Sequence, residues 1–167
     1  SFVTDEWDTL IILDAARPDY LVDMLDIDDA TWETRYSPAS YSYGFMKQEF
    51  EGEQLHDTVY VTTNPYISRF DEDIFHSVVN LYETQWDDEL STVPPEAVVN
   101  ELSRIREKYP SKRYIAHFMQ PHFPFIGDEY GDKVDSAMSP PGEGDNRHPW
   151  NDQMYGRGTD RDLLLNA

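Results

Sequence analysis

The chain has no cysteine, and only 4 of its 13 basic residues are lysine. Without thiols there are no disulfides, no zinc-cysteine sites and no cysteine nucleophile. The longest apolar run, Leu10 to Leu13, is far too short to span a membrane. No basic and then apolar signal segment opens the sequence, so the default expectation is a cytoplasmic protein with no membrane span. The first residue is Ser1 rather than Met, and the expected true N-terminus lies upstream.

Acid is abundant. Thirty-three Asp and Glu against thirteen Lys and Arg give a net charge of -20 over 167 residues. A field of that sign repels nucleic acid and anionic lipid, so neither is expected as a partner. Asp outnumbers Glu and Lys is scarce throughout, a balance that reads as adaptation to concentrated salt, where screening shortens the Debye length to about 3 Å at 1 M. A cation-buffering surface is the other reading. The hydrophobic share of 39% and aromatic share of 14% suffice for a core.

Residues 7–13 read as a buried strand ended by Asp14. Pro18 opens a helix carrying Tyr20, Leu21, Met24 and Leu25. Residues 42–50 read as another helix, capped by Ser40 or Ser42. Residues 58–63 are β-branched and alternating, and Asn64-Pro65 breaks them. A short helix is expected at 71–76, and 78–82 fits either helix or strand. Pro94-Pro95-Glu96 starts the strongest helical pattern, through Val98, Leu102 and Ile105, stopped by Pro110. Residues 113–118 make a third strand. A Gly-, Pro-, Asp- and Asn-rich stretch at about 127–159 reads as a long loop, and Asp160 starts a last helix. Alternating strands and helices predict an α/β fold, a mainly parallel sheet flanked by helices, in which chemistry gathers at the carboxyl ends of the strands.

Three polar clusters fall there. Asp14 at a strand tip needs a cation, either a divalent metal or Arg17; Arg17 is also placed to orient an anionic substrate, and Asp14 to cap a helix. Ser37, Ser40 and Ser42 precede or open a helix, where a hydroxyl caps the helix or approaches an anion. His117 and His122 flank the end of the third strand in a proline-stiffened segment. Such imidazoles donate to phosphoryl or sulfuryl oxygens, protonate leaving groups or bind metal. His56, His76 and His148 read as surface residues.

Trp7-Asp8-Thr9-Leu10-Ile11-Ile12-Leu13-Asp14-Ala15-Ala16-Arg17-Pro18-Asp19-Tyr20, Asp57-Thr58-Val59-Tyr60-Val61-Thr62-Thr63-Asn64-Pro65 and Ala116-His117-Phe118-Met119-Gln120-Pro121-His122-Phe123-Pro124-Phe125 together resemble the alkaline phosphatase superfamily. Within it they are similar to the sulfatase-like hydrolases and transferases of haloarchaea. The resemblance covers almost the whole chain. It implies that residues 1–167 are the N-terminal part of a single sulfatase-like α/β domain, incomplete at the C-terminus, where the family's later Asp-His-Gly metal motif is expected. It implies Asp14 as metal ligand and Ser42 as nucleophile, with Ser40 in reserve. It further implies His122 on the transferring group, and Arg17, His117 and Asn64 as substrate contacts. The cofactor is a divalent metal: Mg or Mn from oxygen donors, Ca by the same logic, or Zn where histidines join. The expected partner is a small-molecule or glycan phosphate or sulfate ester. The Cys- or Ser-x-Pro-x-Arg signature is absent around Pro38, which favours phosphate. Two other readings are a non-catalytic fold binding a glycan or anionic ligand, and an acidic module with no site. The last expects Asp14 and His122 to lie far apart.

Overall fold

The computed structural model describes residues 1–25, 27–71, 73–127 and 138–143. The expected helix from Asp160 and most of the expected loop at 127–159 lie outside the described residues. The elements run β1 (Thr9–Leu13), α1 (Pro18–Met24), α2 (Ser42–Phe50), β2 (Leu55–Thr62), a 3-10 turn (Pro65–Arg69), β3 (Phe75–Asn80), α3 (Leu81–Thr84), α4 (Pro95–Lys108) and β4 (Arg113–Phe118). The four strands form one sheet in the order β1-β4-β2-β3, and every neighbouring pair is parallel. The chain is therefore an α/β protein.

Strand alternation sorts the core into two layers. Tyr60 on β2 and Ile115 on β4 pack with Met46 and Phe50 of α2, and Leu10 and Ile12 of β1 lie against the same cluster. Val59, Val61, Tyr114 and Ala116, one residue out of step, pack with Val98 and Ile105 of α4. In α4 these apolar residues recur with Leu102 at helical spacing. Pro95 occupies the first turn, where its missing N–H costs nothing, and Arg106 and Lys108 sit in the last turn against the negative end of the helix. Phe50 anchors the first layer, with its ring 5.3 Å from both Tyr60 and Phe75 in edge contacts.

Three expectations need correction, and the open reading of 78–82 is resolved. The short helix at 71–76 is not there. His76 lies in β3, because Phe75 turns inward onto Phe50 and Tyr60 while Val78 and Val79 continue a β-branched run. Residues 78–82 divide between the end of β3 and α3. The strand at 7–13 is shorter and only half-buried: β1 is an edge of the described sheet, and Ile11 is 59% exposed on the face away from Leu10 and Ile12. No serine caps α2. Its N-cap is Tyr41, without a side-chain cap bond, and Ser42 is the first helical residue. Among the described residues, no helix is long and apolar enough to cross a membrane.

Candidate active site

The same alternation that builds the core builds the site. Leu10 and Ile12 face α2, so the next residue in that phase, Asp14, does too; Asp14 N–H still bonds to Phe118 O, extending the β1–β4 ladder past the last assigned pair. On β2 the series Tyr60, Thr62, Asn64 continues on the same face, and on β4 so does His117 after Ile115. Three strand ends thus deliver their polar residues to one corner, at the start of α2.

Asp14 Oδ2 is the meeting point. The Ser42 hydroxyl donates to it at 2.8 Å across 28 residues of sequence. The Asn64 amide donates to it at 3.1 Å. His117 Nε2 stands 3.9 Å away. Asn64 serves two purposes: its side-chain oxygen accepts the Tyr66 N–H at 3.0 Å, capping the 3-10 turn, while its nitrogen holds Asp14. The cap uses one end of the amide and leaves the other to the site.

His117 is 1% exposed. Its Nδ1 lies 2.5 Å from the Tyr60 hydroxyl. Burial pushes the Tyr60 phenol well above its ordinary value, so it keeps its proton and donates to Nδ1. Burial pushes His117 down to about 4, opposed by the nearby Asp14 charge, so the ring is neutral near pH 7. A neutral ring that accepts at Nδ1 carries its proton at Nε2, directed at the Asp14 carboxylate. The buried Thr62 hydroxyl accepts the Asn64 backbone N–H at 3.0 Å, on the same face of β2 as Tyr60. Sequence reasoning missed Tyr60 and Thr62. The signal was a phenol and a hydroxyl on the inward face of β2, but their partner is fixed only by strand register, which pairs Thr62 with His117 and sets Tyr60 diagonally to it.

The remaining predicted residues sit around this corner. His122 is tied to it through the main chain: its N–H is shared between Asp14 O and Met119 O, each at 3.0 Å. Its Nδ1 lies 2.8 Å from the Phe123 carbonyl, an acceptor only, so Nδ1 bears a proton and Nε2 is the ring nitrogen left for another partner. Asp14 and His122 therefore lie close together, unlike the expectation for a module without a site. Ser40 is exposed and stands two residues before α2. Arg17 is exposed in the turn after β1; it pairs with Asp19 at 2.6 Å and stacks 4.6 Å over Tyr20. Between Asp14 and Arg17, Ala15 holds a left-handed backbone at φ 60°, unusual for a residue with a Cβ, so the turn carrying Asp14 is strained.

Among the described residues no three His, Cys, Asp or Glu side chains converge on a metal-sized point. Asp14 and Ser42 nevertheless offer two oxygen donors 2.8 Å apart. Two ligands at about 2.0–2.2 Å from one cation stand about 3 Å from each other when they subtend a right angle. The pair fits a hard divalent ion in chemistry and in spacing. No family model matches the chain, and no curated protein or solved structure does either.

Proposed function

We propose that the chain acts on phosphate or sulfate esters as a metal-dependent hydrolase or transferase with the Ser42 hydroxyl as nucleophile, in a sulfatase-like fold. One observation carries this reading: a serine at the first turn of a helix is hydrogen-bonded to the carboxylate at the tip of the neighbouring strand. A serine that merely capped α2 would spend its oxygen on the N–H groups of that helix, and Ser42 does not.

In this reading Asp14 and Ser42 would hold the cation, and their oxygen donors would favour Mg, Mn or Ca over Zn. A divalent ion held there would supply a lowered pKa for the serine hydroxyl and neutralisation of charge on the ester oxygens. Asp14 Oδ2, accepting the Ser42 hydrogen bond, aligns the hydroxyl, whose proton passes to water as Oγ bonds to phosphorus or sulfur and the bond to the ester oxygen breaks. Asn64, through its amide, keeps the carboxylate in place. His122 Nε2 is the candidate donor of a proton to the departing oxygen. Water, or a second alcohol in a transferase, then releases the group from Ser42.

A second reading, a fold that binds a glycan or anionic ligand without turnover, draws support from the single carboxylate among the described site residues. Hydrolysis of 4-nitrophenyl phosphate and 4-nitrophenyl sulfate in molar KCl, with Mg, Mn, Ca or Zn added, separates the two. The expected result is turnover that falls at least about 100-fold in Ser42→Ala and Asp14→Asn, with a phosphorylated or sulfated Ser42 peptide found by mass spectrometry in acid-quenched wild type. Turnover of neither ester with any of the metals favours the binding reading.

A further inference from the structure

Arg17, Arg35, Arg104 and Arg113 each pair with a carboxylate. Arg69, at the end of the 3-10 turn, does not. Its guanidinium carbon lies 4.8 Å from the Tyr66 ring and 5.3 Å from the Tyr43 ring. Those two rings are 5.7 Å apart and inclined by 55°, so they form a notch with the cation across it. Among the described residues the Arg69 guanidinium has no hydrogen-bond or carboxylate partner, which stands out for an exposed arginine in a chain of net charge -20. Arg106 also lacks one, but it lies over Tyr114 in the last turn of α4, which leads into the start of β4 at the opposite end of the sheet.

The notch is built from the site's own neighbours. Tyr43 follows Ser42 directly, with Cα atoms about 3.8 Å apart. Tyr66 gives its N–H to Asn64, which in turn holds Asp14. The contacts with two rings limit the rotamers of the arginine, so less freedom is lost when its planar fork takes an oxyanion. Arg69 and Tyr66 also line an open cleft of about 490 Å³ with Tyr82, Glu83 and Glu143. Neither glutamate pairs with Arg69, and both disfavour a densely charged polyanion in the cleft.

We propose that Arg69 binds a second anionic group of the substrate, a carboxylate or sulfate several atoms from the ester that reacts. The substrate class is then an acidic ester, such as a sugar or short glycan bearing a carboxylate beside its phosphate or sulfate. The assignment rests on the ester-transfer reading above. In molar salt, long-range steering is screened within about 3 Å, so selection here depends on direct forked contact, which arginine supplies and lysine does not.

The test uses aryl phosphate and aryl sulfate esters with no further charge, or with a carboxylate on an arm of one to four methylenes. The expected result is an arm length at which wild type favours the charged ester. Arg69→Ala raises KM for that ester relative to the unarmed one by at least about tenfold while the ratio of kcat values stays level, and Arg69→Lys recovers only part of the loss. Equal changes for both esters, or no change, overturn the proposal. If wild type hydrolyses neither ester, the hydrolase reading fails by itself, and titration with ω-phenyl carboxylates decides on Arg69. A shift of the Arg69 Nε–H resonance with the acids and not with their amides supports the anion site, and no shift overturns it.

Discussion

Replacing Tyr60 with Phe removes one oxygen from the middle of the protein. The ring is fully buried and keeps its apolar contacts, stacked on Phe75 at 4.8 Å and edge-on to Phe50 at 5.3 Å, so no cavity of consequence opens. What is lost is the hydrogen bond to His117 Nδ1. A neutral hydrogen bond contributes about 1 kcal/mol net, and a buried acceptor left without a donor costs about 1–3 kcal/mol. The expected loss is therefore about 2 kcal/mol, or about 4–8 °C in Tm for a chain of this size. The substitution also frees the tautomer of His117, since nothing then donates to Nδ1. The Nε2 proton facing Asp14 at 3.9 Å is held less firmly, and the carboxylate loses one of its three neighbours. Urea unfolding in molar KCl measures the first effect, and the ring nitrogen shifts of His117 measure the second. Wild type should show protonation at Nε2 only, and the variant a mixture. Stability within about 0.5 kcal/mol of wild type, together with an unchanged His117 spectrum, refutes the buried relay.

Acid should weaken the fold through His117. Burial lowers its folded pKa to about 4 from an ordinary value of 6.5, so its contribution is fully present above about pH 6.5 and is lost as pH falls toward 4; unfolding of wild type and His117→Gln across that window should converge as pH falls, and a constant difference refutes it. Ala15→Gly should relieve the left-handed strain at φ 60° and raise stability by up to about 1 kcal/mol in thermal melts, and a lower Tm means the strain is absent. Net charge of -20 predicts that the protein loosens in dilute buffer and tightens in molar KCl as self-repulsion is screened; equal unfolding midpoints in both sink that account.

The parts of this fold that could be read in advance are those with one clean period. β2 and β4, the helix opened by Ser42 and the proline-started α4 all show it, as does the parallel α/β arrangement that follows from them. β3 escaped because its inward residue, Phe75, sits beside an Asp-rich turn that imitates a helix start. At the site, the strand-tip carboxylate and the helix-start serine were legible one by one, because each type has few reasons to stand in such a place. Their hydrogen bond joins a strand tip to a helix 28 residues further on, and the Tyr60 contact beneath it depends on register between strands whose residues are 57 apart, which no local pattern carries. The Arg69 notch was hidden for a similar reason, since its two tyrosines come from different segments.

Asp14, Asn64 and His117 all reach the corner in the same phase of strands β1, β2 and β4. Deleting or inserting a single residue inside any one of these strands would carry its polar end residue to the α4 layer, while a change of two residues would return it to the α2 side one pleat higher or lower. In natural relatives of this chain, length variation within these three strands should come in even steps, and odd steps should be confined to the connecting loops. The site thus has a parity that a sequence comparison can score without any knowledge of what the protein turns over.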